Sequence, residues 1–296
     1  MKSFKFVAKF KIFGIVSVLL AATGIVGLVL LPFGTSLFNL DIDFLGGTVL
    51  EYDLKVTVDG GVQSDVESII SNITGSAPTL QRSGGTGIVI KTTDINADTR
   101  SEINDAILGK YNGAVRTEAK NVTASVGADM RDAAIKSALL ACALILIYIT
   151  IRFEFLSGVA AVVGLIHDVL IMMGAYIILQ IPLNTTFIAA VLTILAYSLN
   201  SSIVVFDRIR ENRRYMPKSG FSDIVDMSLN QTVTRNVNTT LTTLFTVVMI
   251  VILGVTSVRN FAIPLAIGLV AGAYSSLFIS GPLWSIFKGG NSKKAG

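Results

Sequence analysis

The sequence predicts a membrane all-α bundle of six transmembrane helices, with one small α+β domain outside the membrane between the first and second. Three observations predict it. A mean hydropathy of +0.68 with only 15% charged residues over 296 positions is more apolar than a soluble globule of this size tolerates. Six apolar stretches are each close to the roughly 20 residues that a helix needs to cross the hydrocarbon core. Charge is also divided: residues 34–133 carry a net −6 and the remainder a net +10, the sign of a membrane topology rather than of a nucleic-acid surface, so no nucleic acid is expected as a partner.

The first span, 12–31, follows Lys2, Lys5, Lys9 and Lys11. Its apolar run is longer than a signal-peptide core and has no clear small-x-small cleavage site, which favours an uncleaved anchor with the N-terminus in the cytoplasm. The organisation expected is an N-tail and first helix over 1–33, an extracytoplasmic domain over 34–132, five further helices over 133–287 and a cytoplasmic C-tail over 288–296.

The outer segment opens with LDIDFLGGTVLEY, which carries Asp43, Phe44, Gly46, Gly47 and Thr48. Paired glycines suit either a structural turn or the close approach of another backbone. Residues 48–58 alternate as a strand. Val66, Ile69, Ile70 and Ile73 recur at helical spacing within 63–73, and 80–81 and 88–91 flank a Gly84-Gly85 turn. A helix over 97–108 and a strand over 114–126 follow. The order strand, helix, strand, strand, helix, strand is that of a ferredoxin-like domain, an architecture that specifies no activity.

The remaining spans are 133–151, 155–181, 185–206, 237–255 and 261–287, with Lys136 able to snorkel from one end of the second. Arg208, Arg210, Arg213, Arg214 and Lys218 crowd the loop after the fourth, whereas the loop at 180–184 has no charge, and Lys288, Lys293 and Lys294 close the chain. This bias returns the C-terminus to the cytoplasm. Asp207 with Glu211, and Arg210 with Arg214, suit a helix extended beyond the bilayer and laced by weak ion pairs.

The third span contains HDV, and Asp168 lies thirteen residues into it, about 20 Å at the helical rise. An acid at that depth is either a functional group or a neutral one that glues helices, and His167 suits packing as well as proton exchange. In the fourth span Thr193, Tyr197, Asn200 and Ser201 recur three to four residues apart, and in the fifth Arg235, Asn238, Thr242 and Thr246 do the same. Such stripes serve close packing and interhelical hydrogen bonds. Together they predict a hydrophilic pocket enclosed by spans three, four and five around Asp168 and Arg235. No phosphate-binding loop, nucleophile elbow or metal-ligand cluster is present, and Cys142 and His167 lie on different spans. No enzyme, cofactor or metal is therefore expected.

Five strings carry a family resemblance: DFLGGT with Asp43 to Thr48; HDV with His167 and Asp168; YSLN with Tyr197 and Asn200; VVFDRIREN with Asp207, Arg208, Glu211 and Asn212; and SLNQTVTR with Asn230, Gln231 and Arg235. In this order, over nearly the whole chain, they resemble the SecD/SecF family of protein-export subunits, its SecF members in particular, within the resistance–nodulation–division superfamily. The resemblance implies a bacterial cytoplasmic-membrane subunit that pairs with SecD into a pseudo-symmetric unit of twice the spans. That unit would work beside the SecYEG channel, with SecA and YidC nearby, and use a proton or sodium gradient to draw a translocating preprotein outward. It also implies an ion relay through Asp168, Arg235, Asn200, Ser201 and His167. One departure stands out: the family usually has an acid directly after the YSLN asparagine, where this chain has Ser201. A relay here would run through an acid of SecD, through Asp168, or through sodium held by neutral oxygens. A half-size exporter of small molecules or lipids and a passive assembly scaffold are the alternatives.

Overall fold

The computed structural model describes residues 4–31 and 36–292. Lys2, Lys293, Lys294 and the expected domain boundary at 33–34 lie outside the described residues. Two compact units emerge. One comprises Met1–Asn39, Lys136–Pro182 and Thr186–Gly296, and the other Leu40–Ile135 with Leu183–Thr185.

The larger unit is helical, and among the described residues six helices are long and apolar enough to cross a membrane. They are α1 (Phe10–Leu30), α5 (Ala124–Arg152), α6 (Phe155–Leu179), α7 (Thr186–Tyr215), α8 (Phe221–Leu253) and a last one built from α9 (Thr256–Ser275), a π-helical turn (Ser276–Ser280) and α10 (Gly281–Ser292). Burial ranks them. The last span has 61% of its most apolar window inside the molecule and α5 only 6%, so α6, α7 and α9 form the centre and α5 lies at the rim.

Small residues allow this centre to close. A Cβ on Gly24 of α1 would strike the Leu170 carbonyl of α6, one on Gly268 would strike Ile194 of α7, and one on Gly272 would meet Ser198 Cβ at 3.0 Å. Where the helices reach beyond the apolar zone, Phe6, Phe206, Ile209, Val225, Leu229 and Trp284 form a second packed cluster.

In the smaller unit a short helix α2 (Ile42–Leu45) precedes β1 (Gly47–Asp53), α3 (Gly60–Thr74), β2 (Thr79–Ser83), β3 (Gly87–Thr92), α4 (Ala97–Lys110) and β4 (Val115–Val122). The four strands pair antiparallel, in the order β2-β3-β1-β4. Alternate residues Leu50 and Tyr52 of β1 and Ile88 and Ile90 of β3 point to one face. There they meet Val66 and Ile70 of α3 and Ile103 and Ile107 of α4, the period-two and helical patterns joined in one core. Side-chain caps start both helices: Asp59 Oδ1 accepts from Val62 N and Asn96 Oδ1 from Thr99 N.

Several boundaries differ from expectation. The strand expected over 48–58 ends at Asp53, because Leu54 and Val58 turn their N–H groups to Thr86 and Gly85 of the β2–β3 turn. The strand expected to residue 126 ends at Val122, and α5 begins at Ala124 instead of 133. Likewise α8 begins at Phe221 instead of 237. In both cases several more polar helical turns continue beyond the apolar zone, where a hydropathy reading cannot follow them.

Candidate functional site

HDV stands midway along α6, with Asp168 completely buried. Its Oδ2 accepts hydrogen bonds from Ser198 Oγ of α7 at 2.5 Å and Ser275 Oγ of α9 at 2.7 Å, and its Oδ1 lies 2.9 Å from His167 Nδ1. The site thus draws on three central helices. Ser275 is the last residue before the π-helical turn, a local widening of the kind that recurs at functional sites. The His167 ring stacks on Tyr274 with centroids 5.9 Å apart. Tyr274 in turn donates to the Phe13 carbonyl at 2.9 Å and accepts from Ser17 Oγ, both on α1.

This arrangement suits a carboxylate that changes protonation state. An ionised Asp168 receives two hydroxyl donors and the Nδ1–H of His167, while a neutral one can return its proton to Nδ1. Either way His167 Nε2 stays buried without a hydrogen-bond partner.

The polar stripes of α7 and α8 divide between two faces. On α7, Ser198, Ser201 and Ser202 are buried, while Thr193 and Asn200 are exposed and Tyr197 is half-buried. On α8, Thr232, Asn236 and Thr240 are buried, while Arg235, Asn238, Thr242 and Thr246 are exposed. Arg235 forms no ion pair among the described residues. The hydroxyls of Thr239, Thr242 and Thr246 fold back onto carbonyls of their own helix, as such side chains do when nothing else is offered. Among the inward polar residues of α8 is Asn236, whose Nδ2 donates to Ser276 Oγ at 2.7 Å.

The pocket expected around Asp168 and Arg235 is therefore corrected. The carboxylate is held by residues of α6, α7 and α9, and the exposed Arg235 is not among its partners. Ser198, Ser275, Tyr274, Asn236 and Ser276 went unnamed in the sequence reading. The serine pair at 275 and 276 within an apolar span, and the serine inside YSLN, were the available signals.

The family model described as "Protein export membrane protein SecD/SecF, C-terminal" matches residues 103–289. The chain belongs to the SecD/SecF family. Its relatives include the SecF protein translocase subunit of Acidaminococcus fermentans, 37% identical over 97% of this chain and 98% of that protein. Another is SecDF of Bacillus subtilis, 35% identical over 98% of this chain but 39% of that protein. Among solved structures, SecDF of Thermus thermophilus, described as a translocon-associated membrane protein, superposes with a TM-score of 0.82 at 30% identity, over 97% of this chain and 39% of that one. The chain thus spans about two fifths of the SecDF proteins it matches. Six apolar helices in a chain with these relatives mark a multi-pass cytoplasmic-membrane protein.

The three other family strings of this SecD/SecF chain are also built into tight contacts. In the smaller unit, Asp43 on α2 accepts from Lys120 Nζ of β4 at 2.6 Å and from Thr185 N and Oγ1 at 3.0 and 2.8 Å. Burial works to raise its pKa, but these bonds prevail and hold it below the ordinary carboxylate range. Phe44 is buried, and its carbonyl accepts from Arg131 at 2.5 Å. Gly46 and Gly47 adopt φ of 82° and 146°, and a Cβ on Gly47 would lie 2.6 Å from the Thr92 carbonyl, so the glycine pair serves both a turn and a close backbone approach. Thr48 Oγ1 donates to Asn121 Oδ1 at 3.2 Å.

In the larger unit, VVFDRIREN and SLNQTVTR clamp α7 to α8. Asn212 donates to Ser228 Oγ and Gln231 Oε1, both at 2.8 Å, and Arg208 Nε donates to Gln231 at 2.6 Å. Asn230 pins the N-terminal segment through Phe4 N and O. The ion pairs expected along α7 are mostly replaced by pairs between helices: Asp207 meets Arg152 at 3.6 Å and Arg213 meets Glu154, while Arg208 with Glu211 stays within the helix. Among the described residues no group of three or more His, Cys, Asp or Glu could hold a metal.

Proposed function

We propose that this chain is the SecF-type subunit of a bacterial protein translocase, pairing with SecD in the membrane and coupling an ion gradient to preprotein export. The carrying observation is the exposed polar face of α7 and α8. Arg235 immediately precedes Asn236, which bonds Ser276, the neighbour of the Ser275 that holds Asp168. The guanidinium therefore stands near the level of a carboxylate about 20 Å along α6, deep in hydrocarbon. An uncovered guanidinium there is costly, so the face calls for a polar partner helix. Fused SecDF relatives, which carry SecD and SecF in one protein, support SecD as that partner.

Ion movement then runs along this covered face. Arg235 and Asn200 contribute from this chain, and SecD contributes the acid that Ser201 does not supply. Asp168 and His167 form a second protonatable pair behind it, linked through Ser275, Ser276 and Asn236. Each unit charge moved across 100 mV supplies about 2.3 kcal/mol, comparable with the few kcal/mol that bias a two-state domain.

The outer lobe is a ferredoxin-like domain bounded near 34–132, a reading supported by its element order and by strand order β2-β3-β1-β4. Both termini are cytoplasmic, supported by the arginines after span four and the uncharged loop at 180–184. SecYEG, SecA, YidC and the preprotein are the further partners, and the role is a non-enzymatic one.

Cysteine cross-linking tests the pairing. In a Cys142→Ser background, Asn200→Cys and Asn238→Cys should cross-link to SecD, whereas Ile147→Cys on the rim helix should not. Equal cross-linking at all three positions, or none at any, would remove SecD from this face.

A further inference from the structure

Where α7 runs out of apolar residues, the larger unit holds a cavity of about 350 Å³ lined by Phe153, Glu154, Arg210, Arg213, Arg214 and Trp284. At 30 residues, α7 is about 45 Å long against a hydrocarbon core of about 30 Å. The turn that carries the three arginines therefore stands at the level of lipid headgroups.

The acid in the lining is already neutralised. Glu154 receives Lys288 Nζ at 2.5 and 2.7 Å and Arg213 at 2.9 Å. Burial works to raise its pKa, but these two cations prevail and hold it below the ordinary range. Arg210 spends one N–H on the Arg152 carbonyl at 3.3 Å, and Arg214 forms no ion pair among the described residues.

A second observation is independent of charge. Trp284 is 3% exposed, held edge-on between Phe206 and Phe221 with centroids 5.2 and 5.3 Å away. Its indole N–H has no hydrogen-bond partner. A buried donor without an acceptor is a standing cost that an oxygen ligand in the cavity removes.

We propose that this cavity binds a phosphate oxyanion, the group shared by anionic phospholipid headgroups and free phosphate. Arg210 and Arg214 supply charge, and the Trp284 indole supplies a neutral donor. The three arginines and one glutamate of the lining leave positive charge for an oxyanion to neutralise. Basic, aromatic-edged pockets at headgroup level recognise such groups.

Trp284 is the chain's single tryptophan, so its emission reports directly on the cavity. The full-length chain in micelles of a neutral detergent is titrated with phosphatidylglycerol, phosphatidylcholine and inorganic phosphate, and lipid retention is counted separately by native mass spectrometry. A saturable response to phosphatidylglycerol but not phosphatidylcholine is expected. Saturation by phosphate identifies a free oxyanion, and saturation by phosphatidylglycerol alone a lipid. The R210Q/R214Q double variant should bind roughly tenfold more weakly or worse, and R214Q alone about threefold more weakly. Lys218→Gln, outside the lining residues, should leave binding unchanged. Equal responses to both lipids without one to phosphate, or wild-type lipid retention by R210Q/R214Q, would overturn the assignment.

Discussion

Two buried aspartates satisfy their oxygens in opposite ways. Asp43, in the smaller unit, faces a lysine, a backbone N–H and a hydroxyl. Asp168, in the helix bundle, faces two serines and a histidine, with no permanent cation in contact. The first is committed to its charge by its neighbours. The second sits among groups that accept either protonation state, and that is what a fixed structural anchor and a titrating group each require. Both acids are buried, and the kind of donor around them is what differs.

The largest expected effect breaks the second site. Asp168→Leu removes the shared acceptor of two buried hydroxyls and should lower stability by about 2–4 kcal/mol, read as a fall in the thermal unfolding midpoint in detergent. Asp168→Asn, which keeps the shape, should unfold near the wild-type midpoint while impairing gradient-dependent export; full export by this variant would make the site purely structural.

Asp43→Ala should cost about 1–3 kcal/mol, because the half-buried Thr185 N–H and hydroxyl lose their acceptor. Its pH dependence has a definite sign. The folded pKa lies below the unfolded one, so the carboxylate's contribution is complete above the unfolded value and is lost as pH falls through the folded value. Acid unfolding curves of wild type and Asp43→Ala should accordingly begin to converge as pH falls below about 4.

Asn236→Ala removes the bonds to Ser276 Oγ and the Ala273 carbonyl and should cost about 1 kcal/mol. It should also weaken any influence of the α8 outer face on Asp168, measured as the pH profile of export. The smallest effect on stability belongs to Arg235→Gln. Its side chain is exposed and free of ion pairs among the described residues, so the isolated chain should change by no more than about 0.5 kcal/mol. Export should nevertheless fall, and an unchanged export rate would separate Arg235 from coupling altogether.

Much of the fold was legible because its signals are local. A run of apolar residues must cross hydrocarbon wherever its neighbours lie, and the alternation of Leu50 and Tyr52 or the spacing of Val66 and Ile70 requires only a strand or a helix. The boundaries that escaped, at Ala124 and Phe221, are polar turns that continue an apolar helix. Asp168 was conspicuous as an acid in an apolar span. Its partners Ser198 and Ser275 were not, since they lie 30 and 107 residues away and serine is common wherever helices pack closely.

By itself the sequence determined the number of crossings, the composition of the small lobe, and the presence of a carboxylate and a guanidinium among apolar residues, all consequences of local hydropathy and periodicity. Only the tertiary structure decided which polar stripe turns inward. Both faces of α8 carry hydrogen-bonding side chains, and the choice falls to the neighbours: Ser276 offers Asn236 a partner, the described residues offer Arg235 no ion pair, and Gly272 lets α9 close against Ser198. Hydrogen bonds and close packing between helices distant in sequence made that choice, and no stretch of the chain holds both partners.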